Sequence, residues 1–355
     1  MLPALAGTEV AEAAQQAAEA GLVPEKVNQF SGKKKGTLIG TIPPAGTKLK
    51  EGAKIKLLVS AGFPQLAFDD GKNVLLADGS NGKRLPAVAK GSQEETDPAF
   101  SHDGGQIAYA SDRRVFIKDQ SKPDEPAVPV TPADRTYSDL AWAPTVDLNL
   151  LAMLRDTSEK KDHTNQDLCL LQISKQQGPA QCIDDDQVNL VKTVRWSPDG
   201  KSIFALGQKG DINSPTSVFG ILRYKSKKAF SPEAKDWGKG KFVTDISIPA
   251  KGVIDFSLSP DGKRMAAVAN FDTDAFQLYL GKPKDFLLTE AKAQNVRACK
   301  VAWRSDGLEL VVVQADEICK EANGQLARMP VGQPTKQQSL GFSGDNPVFQ
   351  PLSLG

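Results

Sequence analysis

Few residues of this chain have the chemistry of catalysts. Histidine occurs only at His102 and His163. His102 takes the proline slot of a turn and His163 lies in the polar stretch 156–167, so both read as surface loop residues. No Gly-x-Ser-x-Gly elbow presents a serine nucleophile. No cysteine–histidine spacing suits zinc, and no Gly-x-x-x-x-Gly-Lys loop cradles a phosphate. Asp184-Asp185-Asp186 and Asp272-Thr273-Asp274 offer carboxylates of the kind calcium takes, without the full spacing of a calcium loop. Solvated acidic loops are the competing reading. The expectation is a protein with no catalytic site, no cofactor and no metal.

Binding chemistry is better represented. Phe100, Trp142, Trp196, Leu258, Trp303 and Phe349 anchor six related motifs. The residue three before each anchor is Asp97, Asp139, Thr193, Asp255, Lys300 or Asn346, polar in every case. If the fold gathers those positions, three carboxylates and a lysine converge. Such a site suits a cation, a basic peptide segment or a water-bridged ligand. The competing role is to cap loop N–H groups and hold channel water. A second candidate is the segment 225–241, where Lys225, Lys227, Lys228, Lys239 and Lys241 interleave with Phe230 and Trp237. Cations beside aromatics suit a polymer or protein partner, although exposed loops also tolerate this composition without purpose. A third is the loop cluster Lys33-Lys34-Lys35, with Pro43 and Pro44 as further candidate contacts. It suits an anionic polymer or lipid surface, or else protects a sheet edge from pairing.

The four cysteines are Cys169, Cys182, Cys299 and Cys319. Cys169 lies in an apolar run and Cys182 follows the turn-like Lys175-Gln176-Gln177-Gly178-Pro179, midway between which a hairpin would place them face to face. Cys299 and Cys319 would then pair within a later repeat. Disulfides imply an oxidising compartment; four buried free thiols are the alternative.

The elements that position these residues fall into two groups. Thr8 can cap an alanine-rich helix from Glu9 to Ala20, ended by Gly21, with Val10, Ala14, Ala17 and Ala18 on its packed face. Strands follow at 22–27, 37–41 and 54–60, the last alternating so that Ile55 and Leu57 face in. The order Leu2-Pro3, Gly7, Ala20-Gly21-Leu22, Pro43-Pro44-Ala45-Gly46-Thr47 and Ile55-Lys56-Leu57-Leu58-Val59-Ser60 resembles a PASTA domain over residues 1–62. That resemblance implies cell-wall fragments (peptidoglycan or muropeptides) as the ligand class. Residues 1–62 hold eight lysines and five glutamates, a modest excess of +3 that agrees with an anionic contact.

From residue 63 the chain repeats. Trp196-Ser197-Pro198-Asp199-Gly200-Lys201-Ser202-Ile203-Phe204 is the clearest copy, and Leu258-Ser259-Pro260-Asp261-Gly262 and Phe100-Ser101-His102-Asp103-Gly104 match it. Trp303-Arg304-Ser305-Asp306-Gly307, Trp142-Ala143-Pro144 and Phe349-Gln350-Pro351 are weaker copies. The anchors are separated by 42, 54, 62, 45 and 46 residues, and the short spacings suit a four-stranded propeller blade. Segments 65–68, 73–77 and 83–88 read as a blade lacking its first strand, and 346–351 as a first strand without successors. Joined, they close the ring and remove its edges. The copies resemble TolB-like (PD40, WD40-like) propeller repeats across 63–355. His102 for proline, Arg304-Ser305 for Ser-Pro and the missing glycine after Pro144 are departures from the pattern.

The expected fold is mainly β: a small α+β PASTA domain (1–62), one helix on a three-stranded sheet, then a six-bladed propeller (63–355) closed by strands 65–88 and 346–351. Lysine plus arginine is 44 against 43 acids, which excludes a general nucleic-acid binder. No apolar run reaches the length of a membrane span. The resemblances imply a non-catalytic extracytoplasmic binding or sensor region, with the PASTA unit on cell-wall material and the propeller on a protein. A membrane helix and serine/threonine kinase upstream of residue 1 are the matching expectation. An envelope scaffold in which the PASTA unit only spaces the propeller is the alternative.

Overall fold

The computed structural model describes residues 5, 9–29, 36–60, 65–79, 82–88, 94–145, 148–156, 166–173, 179–185, 188–209, 218–228, 231–246, 252–270, 275–283, 291–314, 319 and 324–351. Its N-terminal unit is built on the helix Val10–Glu19, whose alanines and glutamines are strong helix formers. Gly21, with φ of 74°, ends it in the left-handed conformation that a side chain resists. Glu9 is the N-cap residue and makes no side-chain cap bond, and Thr8 lies outside the described residues. The packed face is Val10, Ala13, Ala14 and Ala17, not one including Ala18, which is exposed. Spacing of i, i+3, i+4 and i+7 explains the correction, since it keeps all four within one arc of the helix. Those small side chains lie on a sheet in which Lys54–Ser60 is central, parallel to Val23–Gln29 and antiparallel to Leu38–Ile42. Leu5, Leu22, Leu38, Ile55, Leu57 and Val59 complete this core.

The rest of the chain forms six four-stranded blades. Blade I contains Glu95–Phe100, Gln106–Ser111, Arg114–Asp119 and Val128–Pro129; blade II contains Tyr137–Trp142, Leu150–Asp156, Gln166–Gln172 and Gln181–Cys182. Blade III contains Val188–Trp196, Ser202–Lys209, Val218–Lys225 and Lys241–Ile246; blade IV contains Val253–Leu258, Met265–Ala269, Gln277–Gly281 and Lys292–Arg297. Blade V contains Lys300–Trp303, Glu309–Gln314 and Gly324–Pro330. Its fourth strand is the first part of Gln338–Phe349, a twelve-residue strand whose second part is the inner strand of blade VI. There it pairs with Gln65–Asp69, and Val74–Asp78 and Arg84–Leu85 follow outward. Early and late chain thus share one blade.

Second strands are buried on both faces because each blade is sandwiched. In Met265–Ala269, Met265, Ala267 and Ala269 face blade III while Ala266 and Val268 face blade V. Such a strand must read as a continuous apolar run. Six interblade cores result, the last joining Leu76 and Val88 of blade VI to Phe100 and Ile107 of blade I. Tryptophan anchors add polar links between blades: Trp196 Nε1 donates to Ala141 O at 2.9 Å and Trp303 Nε1 to Ser257 O at 3.1 Å.

The repeated turn is held in the same way in three blades. In Ser197–Ser202 the serine hydroxyl donates to Asp199 Oδ1 at 2.6 Å, the Lys201 N–H donates to the same carboxylate, and the Ser202 N–H donates to Ser197 Oγ. Equivalent bonds recur at Ser259–Asp261 and Ser101–Asp103. Gly200 has φ of 67°, which the turn requires.

Candidate functional site

The position three before each anchor lies near the start of an inner strand, and local backbone shape explains its polarity. Asp97, Asp139, Thr193 and Asn346 have φ of 54°, 49°, 49° and 45°. Each sits at a register shift against the second strand: Thr96/Ala99, Ser138/Ala141, Lys192/Val194 and Asp345/Val348. A bulge with one left-handed residue breaks the alternation and re-aims the side chain. Asp and Asn tolerate that conformation, whereas β-branched Thr193 holds it at a cost in strain. Asp255 also follows a register shift, between Val253 and Asp255.

A titratable cluster forms around these bulges. Lys300 is at its centre. Burial opposes its charge, but Asp255, Asp345, Asp139 and Asp97 outweigh that and hold the ammonium above its ordinary pKa. Asp255, 1% exposed, accepts from the Val301 N–H at 2.8 Å and pairs with Arg195 at 3.3 Å; burial still raises its pKa. Asp69 accepts from Gly71 N, Asp97 N and Asn346 Nδ2 at 3.2, 3.2 and 3.0 Å. Desolvation raises it as well, despite those bonds. Asp345 lies directly opposite Asp69 in the closing strand pair, and its pKa is pushed up to about 6, chiefly by burial. Asp97 is pushed up to about 8 by burial and then by the Asp139 and Asp69 carboxylates. Five carboxylates therefore face two cations.

Asp69, Asp345 and Arg195 were not among the sequence candidates. Arg195 had a visible signal: the residue before each anchor is Ala99, Ala141, Arg195, Ser257, Ala302 or Val348, and only one is charged. Asp69 had none, because its partner Asn346 is 277 positions away.

The cluster floors a cavity of about 380 Å³, lined there by Asp97, Asp139, Arg195 and Asn346. Leu140, Leu258 and Val348 form part of its wall. The rim is made by the residue two after each anchor: His102, Pro144, Pro198, Pro260, Ser305 and Pro351. Four prolines and two polar residues thus ring the mouth. His102 is half-buried in this rim, not a solvated turn residue, and its buried Nδ1 has no hydrogen-bond partner among the described residues. Ser305 donates to Gln350 O, and Gln350 Nε2 donates to Gly104 O at 3.2 Å, so hydrogen bonds tie this side of the mouth together from blade V through blade VI to blade I.

Other sequence candidates lie elsewhere. Lys33, Lys34, Lys35 and Phe230 are outside the described residues, as are His163, Asp186 and 272–274. Pro43 and Pro44 occupy a turn whose Thr47 Oγ1 donates to Pro44 O at 2.6 Å, with Pro44 exposed. Trp237 is no partner contact: it is 3% exposed, meets Trp196 edge to face at 5.5 Å and donates Nε1 to Ser231 O. Asp185 accepts from Gly240 N at 2.9 Å and from the Tyr224 hydroxyl, so its role is structural. Cys169 is bonded to Cys182 across neighbouring strands, and Cys299 to Cys319 beside Lys300.

Residues 1–61 match the family model of the PASTA domain. The structure of TolB from Acinetobacter baumannii is similar at a TM-score of 0.60, with 16% identity over 81% of this chain and 67% of that one. A putative TolB from Agrobacterium tumefaciens is similar at 0.54, with 15% identity over 80% and 90%. At such identities the likeness is one of fold. A sequence search of curated proteins returns no match. Residues 1–61 thus carry a PASTA domain, and the remainder has the β-propeller fold of the TolB structures.

Proposed function

We propose that this chain is a non-catalytic extracytoplasmic binding protein whose propeller channel receives a cationic segment of a protein partner, while its PASTA unit engages peptidoglycan fragments. The carrying observation is the cavity with an acidic floor and a proline rim. Floor and rim lie five residues apart along the chain, at most about 16 Å when extended. A short extended segment spans that depth, with an apolar residue at the rim and a lysine or arginine at the floor. The two disulfides support an oxidising compartment, and no helix among the described residues is long and apolar enough to cross a membrane. Attachment to a membrane serine/threonine kinase rests on domain association alone.

Calorimetry with acetyl-Leu-Ala-Lys-amide and acetyl-Leu-Ala-Glu-amide tests the channel. The lysine peptide should bind preferentially, and Asp97→Asn with Asp139→Asn should abolish the preference. Its affinity should rise between pH 6 and pH 9, because the cation favours ionised Asp97, whose pKa is about 8. Equal binding of both peptides would overturn the channel assignment. Soluble muropeptides titrated into the same protein test the wall role separately; absence of heat removes it and leaves the propeller as a docking platform.

A further inference from the structure

The outer edge of blade III carries a charge imbalance that the channel does not use. Between Arg223 and Lys241 lie seven cations and two acids, a net +5, in a chain whose total is +1; the remaining residues carry −4. Both acids are engaged locally, Asp236 with Lys228 at 2.9 Å and Glu233 with Lys235. Arg223, Lys225 and Lys241 are exposed and make no ion pair among the described residues.

These three share one face. Arg223 and Lys225 are two apart on the strand Val218–Lys225, and Lys241 is the cross-strand partner of Arg223. Leu222, Tyr224 and Phe242, on the other face, pack into the core between blades II and III. Like charges directly opposed in an antiparallel pair destabilise it. The bond from Arg223 Nε to the uncharged Ser202 Oγ at 3.1 Å brings no negative charge to the pair. Same-face neighbours recur at about 6.7 Å along a strand and about 5 Å across the pair, which makes a narrow basic ribbon.

We propose that this ribbon binds a linear polymer with repeating phosphate groups. An extended polyanion neutralises opposed cations in register and gains from the counterions it releases. A membrane-binding face would set apolar side chains beside its cations to enter the headgroup layer. Among the described residues of the segment, Tyr224 and Trp237 are buried at 1% and 3%, and the exposed large hydrophobics, Val23, Ile42, Val128 and Leu308, lie elsewhere; Phe230 is outside the described residues.

The full chain passed over immobilised long-chain inorganic polyphosphate in a salt series tests this. Binding should weaken steeply with salt. Arg223→Gln, Lys225→Gln and Lys241→Gln together should lose about tenfold or more in affinity. Lys263→Gln, Lys292→Gln and Lys336→Gln together remove the same charge from exposed lysines on other blades and should leave affinity unchanged. Single Lys225→Gln and Lys241→Gln variants, each expected to lose part of the affinity, keep the test readable if the triple variant does not fold. Equal loss in the two triples, wild-type affinity in both singles, or no binding to polyphosphate would sink the proposal. Binding to phosphatidylglycerol vesicles without binding to polyphosphate would reassign the ribbon to lipid.

Discussion

Asp97 combines a left-handed backbone, a raised pKa of about 8 and contact with the Asp69 carboxylate. A carboxyl whose pKa rises on folding holds its proton more tightly in the native state. Its contribution to stability is therefore fully present below the unfolded value near 4 and is lost as pH climbs toward 8. Asparagine keeps an acceptor for Thr96 Oγ1 and tolerates the same φ without the charge. Asp97→Asn should therefore melt higher than the parent by about 2 °C at pH 9, with the difference shrinking toward pH 4 in a calorimetric pH series. The same melting point in both proteins at pH 9 would mean that the channel already solvates the charge. Polar residues at all six equivalent positions were legible, because a repeat aligns them. The bulges that aim several of them were not, since left-handed aspartate and extended aspartate look alike in sequence. Asp69 and Asp345 were hidden for another reason: they become opposed only when the ring closes.

Elements were the most legible scale, because turn chemistry and burial period are local. The Ser-Pro-Asp-Gly copies marked the hairpins, and the same serine–aspartate bond recurs in three of them. In the segment 225–241 it was the aromatic part of the composition that misled, at Trp237. Basic residues next to aromatics look like a contact loop, yet the 3₁₀ turn Ala234–Asp236 folds Trp237 inward, while Ser226 bridges to Trp237. The tryptophan is thus a lid on the core between blades II and III. Trp237→Ala should cost about 3–5 kcal/mol, the range for a large aromatic removed from a core, read as a lower midpoint in urea. A change below about 1 kcal/mol would place Trp237 outside the cooperative core.

A closed ring makes the seam a property of the whole molecule. The strand Gln338–Phe349 serves two blades, so its register fixes both at once. Gly344 sits where the strand passes from one blade to the next, and a Cβ there would meet Phe68 Cδ2 at 2.3 Å and Asp69 O at 2.9 Å. Gly344→Ala should therefore part the seam and lower stability by about 1–3 kcal/mol. Hydrogen exchange should show lost protection in Gln65–Asp69 and Val74–Asp78 before blades II to IV; uniform loss through all blades would contradict a local seam effect. Because Gln350 N donates to Gln65 O at 2.9 Å, the two ends of the propeller chain leave the ring side by side. Tension between those ends peels the antiparallel seam one hydrogen bond at a time instead of shearing the whole ladder. The mechanical threshold for opening the ring is then set by its outermost bond, however strongly the six interblade cores hold the closed form.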